Sequence, residues 1–468
     1  MSEPTPDGPA LRSTARAAIT AVADESSFRE LPWGDAGFSD SPPNGPLDWQ
    51  GYADSLARAA ERTGERESVV CGTATVGGTA AVIVSFEFGF LGGSLGRRTG
   101  DRLEAAHRHA RDHRLPVVSL IATGGSRMQE GMRALVQLQR VARQSELTGA
   151  AGLARIAVLR DPTTGGGWAT LGAGADLILA LPGSQIGFAG SRVRPADADP
   201  TAYTAEAQLA AGAIDDVVRP EELREALALR LGLLAAPGGS RPLPGAPTPG
   251  APVPPGALGR RDLPATGWEA VNRARAPERP RAAAYLDAYF TERAPLRGDR
   301  CGGTDPGMLC GFGRREGRTV AYAAQGGTAT TPAGYRTAAR LVRLAGRLGI
   351  PVLTLIDTPG AANGAEAERA GAGAAIADLF ASVAASPVPV TSLVIGEGGS
   401  GGALALASPD NLWATPDSYF SVIAPELATA ILKRGPEETR STAEQLRLRP
   451  QDLVELGVAR GIVTARHD

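Results

Sequence analysis

The residues best placed to do chemistry are glycines that follow apolar runs. Val394-Ile-Gly-Glu-Gly-Gly-Ser-Gly-Gly-Ala-Leu-Ala405 has a strand-like entry, an Ala/Leu-rich helical exit and five glycines between them. Glycines there leave backbone N–H groups open to close approach, which is how a chain builds an oxyanion hole at a strand-to-helix turn. Val158-Leu-Arg-Asp-Pro-Thr-Thr-Gly-Gly-Gly-Trp168 repeats the arrangement earlier in the chain. Two further turns, Thr123-Gly-Gly-Ser-Arg127 and Ile356-Asp-Thr-Pro-Gly360, also close apolar runs. Each pair of turns supplies N–H donors that converge on one carbonyl oxygen as it gains charge. A single such donor is worth about 3–4 kcal/mol in the transition state. Any one glycine turn is better explained by tight strand-to-helix packing. Four turns in two matching pairs favour chemistry.

Sharper motifs fail on inspection. Gly398-Gly-Ser-Gly-Gly402 fits the G-x-S-x-G nucleophile pattern, but the histidine such a serine needs downstream is present only as His467. The single lysine, Lys433, is followed by Arg434, so no G-K-[ST] phosphate loop exists. His107, His109 and His113 share a helical stretch, the last two at i, i+4 spacing, but its Arg, Asp and Glu content reads as a solvated face rather than a zinc site. Asp357 and Glu397 end apolar strands, where a carboxylate serves as base or as helix cap, and the sequence leaves both open.

The elements that must carry these turns alternate. A helix is expected from Leu47 to about Glu61, strands at Ser68–Ala74 and Thr79–Phe86, and a helix at Arg97–Arg114. The strand Leu115–Ile121, the helix Gln129–Glu146 and the strand Ile156–Leu159 follow. Residues 1–46 read as a flexible N-terminal arm, and the Pro/Gly-rich stretch 235–262 as a linker. The linker separates domains at 47–234 and 263–468. These halves repeat: Pro116 and Pro351 are 235 positions apart, and Gly165 and Gly401 are 236 apart. Such alternation predicts an α/β fold with parallel strands, present twice.

Composition sets outer bounds. The chain has 468 residues, 43% of them hydrophobic, enough for two or three domains. A net charge of −2 argues against nucleic acid or an anionic membrane as partner. Three cysteines with no C-x-x-C pair give no zinc ribbon and fit a reducing, cytoplasmic compartment. No secretory signal or membrane span is visible.

Longer motifs carry a resemblance. Ser85-Phe-Glu-Phe-Gly-Phe-Leu-Gly-Gly-Ser-Leu-Gly96, Thr123-Gly-Gly-Ser-Arg-Met-Gln-Glu130, Asp161-Pro-Thr-Thr-Gly-Gly166, Ile186-Gly-Phe-Ala-Gly190 and Gly212-Ala-Ile-Asp215 make the first half resemble the β subunit of bacterial acetyl-CoA carboxylase carboxyltransferase. Gly298-Asp-Arg300, Pro332-Ala-Gly-Tyr-Arg336, Ile356-Asp-Thr-Pro-Gly-Ala361, Ile395-Gly-Glu-Gly-Gly-Ser-Gly-Gly-Ala403 and Tyr419-Phe-Ser-Val-Ile-Ala-Pro-Glu426 make the second resemble the α subunit. The resemblance runs from about residue 47 to 465 and reads as a β–α fusion.

This resemblance implies two crotonase-like ββα-spiral domains in tandem. It implies transfer of a carboxyl group from carboxybiotin to acetyl-CoA or a close acyl-CoA, giving malonyl-CoA, with no dedicated protein base. Gly124 and Gly125, helped by Gly165 and Gly166, would hold the acyl-CoA enolate oxygen, with Gly92, Gly93 and Arg127 also in contact with substrate. Gly401, Gly402 and Ala403, with Gly360, would hold the biotin ureido oxygen. Ile431-Leu-Lys-Arg434 is not a biotinylation turn, so biotin arrives on a separate carrier protein charged by a separate biotin carboxylase. A homo-oligomer is expected. Three departures stand out. The β subunit's four-cysteine zinc ribbon is missing and no zinc is expected. Only Gln325-Gly-Gly-Thr-Ala-Thr-Thr331 fills the place of a basic α-subunit insertion, and Ala361-Ala-Asn-Gly364 replaces Ala-Tyr-Pro-Gly. These departures leave two competing expectations, a biotin-independent malonyl-thioester decarboxylase and a non-catalytic binding scaffold.

Overall fold

The computed structural model describes residues 13–32, 42, 44–235 and 250–464. It divides into two compact units, Met1–Arg241 and Pro242–Asp468. The first contains β1 (Arg29–Glu30), β2 (Val69–Val76), β3 (Thr79–Phe86), β4 (Val117–Thr123), β5 (Arg155–Thr164), β6 (Leu177–Ala180), β7 (Ile186–Gly187) and β8 (Asp216–Val217). The second contains β9 (Glu292–Pro295), β10 (Met308–Arg315), β11 (Arg318–Gln325), β12 (Val352–Thr358), β13 (Val390–Gly399), β14 (Leu412–Ala414), β15 (Tyr419–Ser421) and β16 (Gly461–Ile462).

Each unit starts its main sheet with an antiparallel hairpin and continues in parallel. In the first, β2 and β3 join through Gly77-Gly78, both at positive φ, as a two-residue hairpin requires. The order is then β1-β2-β3-β4-β5-β6-β8, with β7 beside the end of β5. The second runs β16-β14-β13-β12-β11-β10-β9, with β15 beside the end of β13. Parallel neighbours need crossovers. Helix Arg97–Asp112 links β3 to β4, and Pro332–Leu348 links β11 to β12. The central strands are buried on both faces, so they read as continuous apolar runs: all of Val117–Thr123 and all of Val352–Thr358 are buried.

The two units share a register. Val117 pairs with Arg155, and Val352 with Val390, 235 positions on. Both ladders shift at the same point, between Ile121 and Thr123 in one and between Ile356 and Thr358 in the other. That shift lies where each strand turns into its glycine segment.

Four expectations are corrected. Residues 13–32 are no loose arm. Helix Ala15–Val22 is capped by Thr14 and buries Ala15, Ala18, Ile19 and Val22, an i, i+3, i+4, i+7 face packed on the first unit. Residues 1–12 and 33–41 lie outside the described residues. The linker is shorter than 235–262, because 250–262 packs on the second unit. Pro252 O accepts from Thr391 Oγ1 at 2.7 Å, Val253 O accepts from Tyr289 OH at 2.7 Å, and Ala257 joins the core. An extended Pro-rich strand spends no carbonyls on itself, so neighbours can use them. Residues 236–249 lie outside the described residues. The Gln129–Glu146 helix is two pieces, Met132–Leu135 and Gln137–Ala150. The Leu47 helix begins only at Tyr52, after Gly51 in the left-handed region.

Candidate active site

Each unit builds its first glycine turn with the same hydrogen bonds. Thr123 Oγ1 accepts from Gly125 N at 3.0 Å, and Thr358 Oγ1 accepts from Gly360 N at 3.1 Å. Gly125 O accepts from Leu95 N at 2.8 Å, and Gly360 O accepts from Thr330 N at 3.1 Å. Leu95 O then accepts from Arg127 N, and Thr330 O from Ala362 N, both at 2.9 Å. Gly125 sits at φ +109° and Gly360 at φ +142°, a conformation that side chains disfavour.

The second turn starts where β5 or β13 ends. Short helices begin at Gly165 and at Ser400, both at positive φ, +63° and +58°. The offset therefore stays at 235, and Gly165 corresponds to Ser400 rather than to Gly401. The sequence pairing at 236 is off by one, because matching glycines hid a serine in a glycine's conformation. Gly166 corresponds to Gly401.

In each unit the two turns touch through backbone. A Cβ on Gly165 would lie 3.1 Å from Gly125 Cα, and one on Gly125 would lie 3.9 Å from Gly166 N. A Cβ on Gly402 would overlap Ala361 N and lie 2.6 Å from Tyr335 OH. Gly402 O accepts from Gln325 Nε2 and Tyr335 OH at 3.2 and 3.1 Å, which fixes the helix start.

Counting donors separates the expected residues. Gly166 and Gly401 lie in a first helical turn, whose N–H groups have no acceptor within the helix. Gly125 and Gly360 share their N–H with a threonine hydroxyl. Gly124 is corrected: its N–H donates to Gly92 O at 2.8 Å. Ala403 is fully buried, one position after Gly402 in the same short helix. Gly92 and Gly93 shape the turn from behind, since a Cβ on Gly93 would overlap Ala122 O.

Arg127, expected to contact substrate, is only 2% exposed, and its side chain is engaged within the first unit. Its guanidinium pairs with Glu67 through both nitrogens and reaches Glu130 Oε1 and Tyr52 OH at 3.3 Å and Ser94 O at 2.9 Å. Burial alone would lower the Arg127 guanidinium, but Glu67 and Glu130 raise it. Burial likewise pushes the Glu67 carboxyl up, and Arg127 more than reverses this, holding it below the usual range. Glu67 and Tyr52 went unread in the sequence. A lone carboxylate at the mouth of an apolar strand was the available signal.

Asp357 and Glu397 are neither free bases nor caps. Asp357 is paired with Arg279, while Glu397 Oε2 accepts from Arg275 Nε at 2.8 Å and from Tyr419 OH at 2.9 Å. The His107 side of its helix is not solvated: the ring is buried and bonded to Thr148 Oγ1 at 3.0 Å. No cluster of three or more metal-ligating side chains exists among the described residues. No described helix is long and apolar enough to cross a membrane. A cavity of about 790 Å³ in the second unit opens beside the Gly360 turn, lined by Cys301, Thr331, Arg336, Ala362, Gly364 and Glu366.

Two α/β units, each with a pair of glycine turns after parallel strands, define a crotonase-like fold. The comparisons with known proteins agree. A family model described as "Carboxyl transferase domain" matches residues 46–217. One described as "Acetyl co-enzyme A carboxylase carboxyltransferase-like" matches residues 263–467. The chain is 38% identical to the acetyl-coenzyme A carboxylase carboxyl transferase subunits beta/alpha of Saccharopolyspora erythraea, over 95% of this chain and 79% of the relative. It is 39% identical to the Salinispora arenicola protein of the same name, over 98% and 84%. A probable biotin-dependent acyl-coenzyme A carboxylase beta3 subunit of Mycobacterium bovis is 35% identical, over 95% and 87%. The transcarboxylase 12S core, solved as a hexamer with methylmalonyl-coenzyme A bound, shares the fold at TM-score 0.76 and 20% identity, covering 97% of this chain and 87% of that one. The chain belongs to the acetyl-CoA carboxylase carboxyl transferase beta/alpha family.

Proposed function

We propose that this chain is the carboxyltransferase component of a biotin-dependent acyl-CoA carboxylase, with acetyl-CoA as acceptor and malonyl-CoA as product. The observation that carries the reading is the glycine device built twice, with matching hydrogen bonds 235 positions apart. A transfer between two carbonyl-type anions, a thioester enolate and a ureido oxygen, needs two such sites.

In the first unit, Gly166 N–H and Gly125 N–H hold the thioester oxygen as it gains charge, while Gly124 and Gly165 keep the approach free of side chains. In the second, Gly401 N–H and Gly360 N–H hold the ureido oxygen, and Gly402 packs the helix start against Ala361. Carboxybiotin supplies the carboxyl group when bound. The glycine turns present donors and no competing side chain, a fit for a flat ureido ring. Asp357 and Glu397, the carboxylates at the ends of the second unit's two central strands, are both bonded to arginine and so are poor candidates for a base. Biotin comes on a separate carrier protein, loaded by a separate biotin carboxylase, and the chain works as a homo-oligomer in the cytoplasm.

The test is malonyl-CoA consumption by purified protein with and without free biotin. Biotin-dependent formation of acetyl-CoA supports the reading. Biotin-independent release of CO₂ would replace it with a decarboxylase, and acyl-CoA binding without any turnover would replace it with a scaffold.

A further inference from the structure

One carboxylate ties together the strands that carry the second unit's two turns. Asp357 is fully buried and lies three positions before Gly360. Its two oxygens each accept from Arg279 Nη2 at 2.9 Å. Oδ2 also accepts from Arg281 Nη1 at 3.3 Å, and Oδ1 from Glu397 N on β13 at 3.1 Å. An ionised carboxylate offers about four lone-pair positions, so these contacts leave none for a substrate proton. Arg279 is fixed in turn by Ala274 O at 2.8 Å and by Ile395 O, again on β13, at 2.9 Å.

The surrounding chain reserves space for this group. A Cβ on Gly396 would overlap Asp357 Oδ1 and lie 2.5 Å from Arg279 Cζ. Gly396 is not at positive φ, so room, not conformation, explains its glycine. A Cβ on Gly327 would overlap Arg281 Nη1. The first unit has no counterpart, because position 122, 235 earlier, is an alanine. There the buried pair is Arg127, two positions after Gly125, with Glu67.

We propose, on the carboxyltransferase reading above, that the Arg279–Asp357 pair is a positioning latch for the biotin-side site. It sets the end of β12 against the end of β13, and so holds the Gly360 donor at a fixed distance from the Gly401 donor. Asp357 touches no substrate and acts through the backbone on either side of it.

The test is Asp357→Asn, which keeps shape and removes the charge. In the malonyl-CoA-dependent carboxylation of free biotin, kcat is expected to fall about 100-fold, the scale of a misplaced reacting group. KM for malonyl-CoA is expected to stay at the wild-type value. Hydrogen exchange is expected to speed up together in peptides spanning 352–361 and 390–402, with the first unit unchanged. Arg279→Lys keeps the charge but loses the fork, and an intermediate fall is expected; it carries the same comparison should Asp357→Asn fail to fold. Wild-type exchange in both segments, or a change in only one, overturns the latch. A wild-type protein that never carboxylates biotin overturns the carboxyltransferase reading instead, while the exchange comparison still decides the latch.

Discussion

Arg127 carries a full charge in a place with almost no solvent contact, so its neighbours decide its effect. Pairing with Glu67 at 1% side-chain exposure on both sides makes each charge depend on the other. Such a pair adds little net stability, but breaking it is costly, because one charge is then left buried alone. Arg127→Met is expected to lower the unfolding free energy by about 3–5 kcal/mol in urea titration. The Glu67 carboxyl, released from its partner, would then rise under burial. A loss of acyl-CoA affinity at unchanged stability would restore the substrate-contact role that the sequence suggested. Read from the sequence, Arg127 stood in a motif beside two glycines and passed for a ligand-binding residue. Only the fold shows that its side chain turns inward.

At the scale of elements, helix Arg97–Asp112 shows a hidden face. Burial, with the positive charges of Arg111 and Arg155, pushes the His107 imidazole down to about 3, so the folded protein keeps it neutral. An unfolded histidine takes up a proton as pH falls below about 6.5. Between those values the unfolded chain binds more protons, so stability is fully present above pH 6.5 and is lost as pH falls toward 3. The loss approaches about 1.4 kcal/mol per pH unit. His107→Gln should remove that slope; a denaturation series from about pH 6.5 to pH 5 would show it, and parallel curves for both proteins would refute the assignment. The same helix was read as a solvated face because its Arg, Asp and Glu residues outnumber its apolar ones. Its inner stripe, Leu103, Ala106, His107 and Ala110, is short and contains a histidine, so composition masked it.

At the scale of the whole molecule, the proposed function assigns the two units separate halves of one transfer. Binding to one unit should therefore survive damage to the other. Acetyl-CoA at about 100 times its Kd is expected to stabilise the wild-type protein by about 2.7 kcal/mol. Gly402→Val, which drives a side chain into Ala361 and Tyr335, should keep that stabilisation and lose biotin carboxylation. Gly125→Val, at a left-handed glycine in the first unit, should lose both. Thermal shifts measured with and without acetyl-CoA decide this, and equal loss of stabilisation in the two variants would contradict the division of labour.

The sequence by itself determined the α/β alternation, the duplication and the four glycine turns. These are properties of local pattern: burial on both faces forces continuous apolar strands, and close backbone approach forces glycine. Motif order also determined the family. Helix Ala15–Val22 was equally legible, with Thr14 as cap and a four-residue apolar face, but a Pro/Gly-rich neighbourhood concealed it. Tertiary structure alone decided which N–H groups remain available. Gly124 and Gly166 look alike in sequence, and only the partner brought up by a distant loop, Gly92 O, commits one of them. It alone decided that Gly165 answers to Ser400, since register is a property of paired strands. It also decided that Arg127 pairs with Glu67 and Arg279 with Asp357, because long-range pairing between charges leaves no mark in the spacing of either residue.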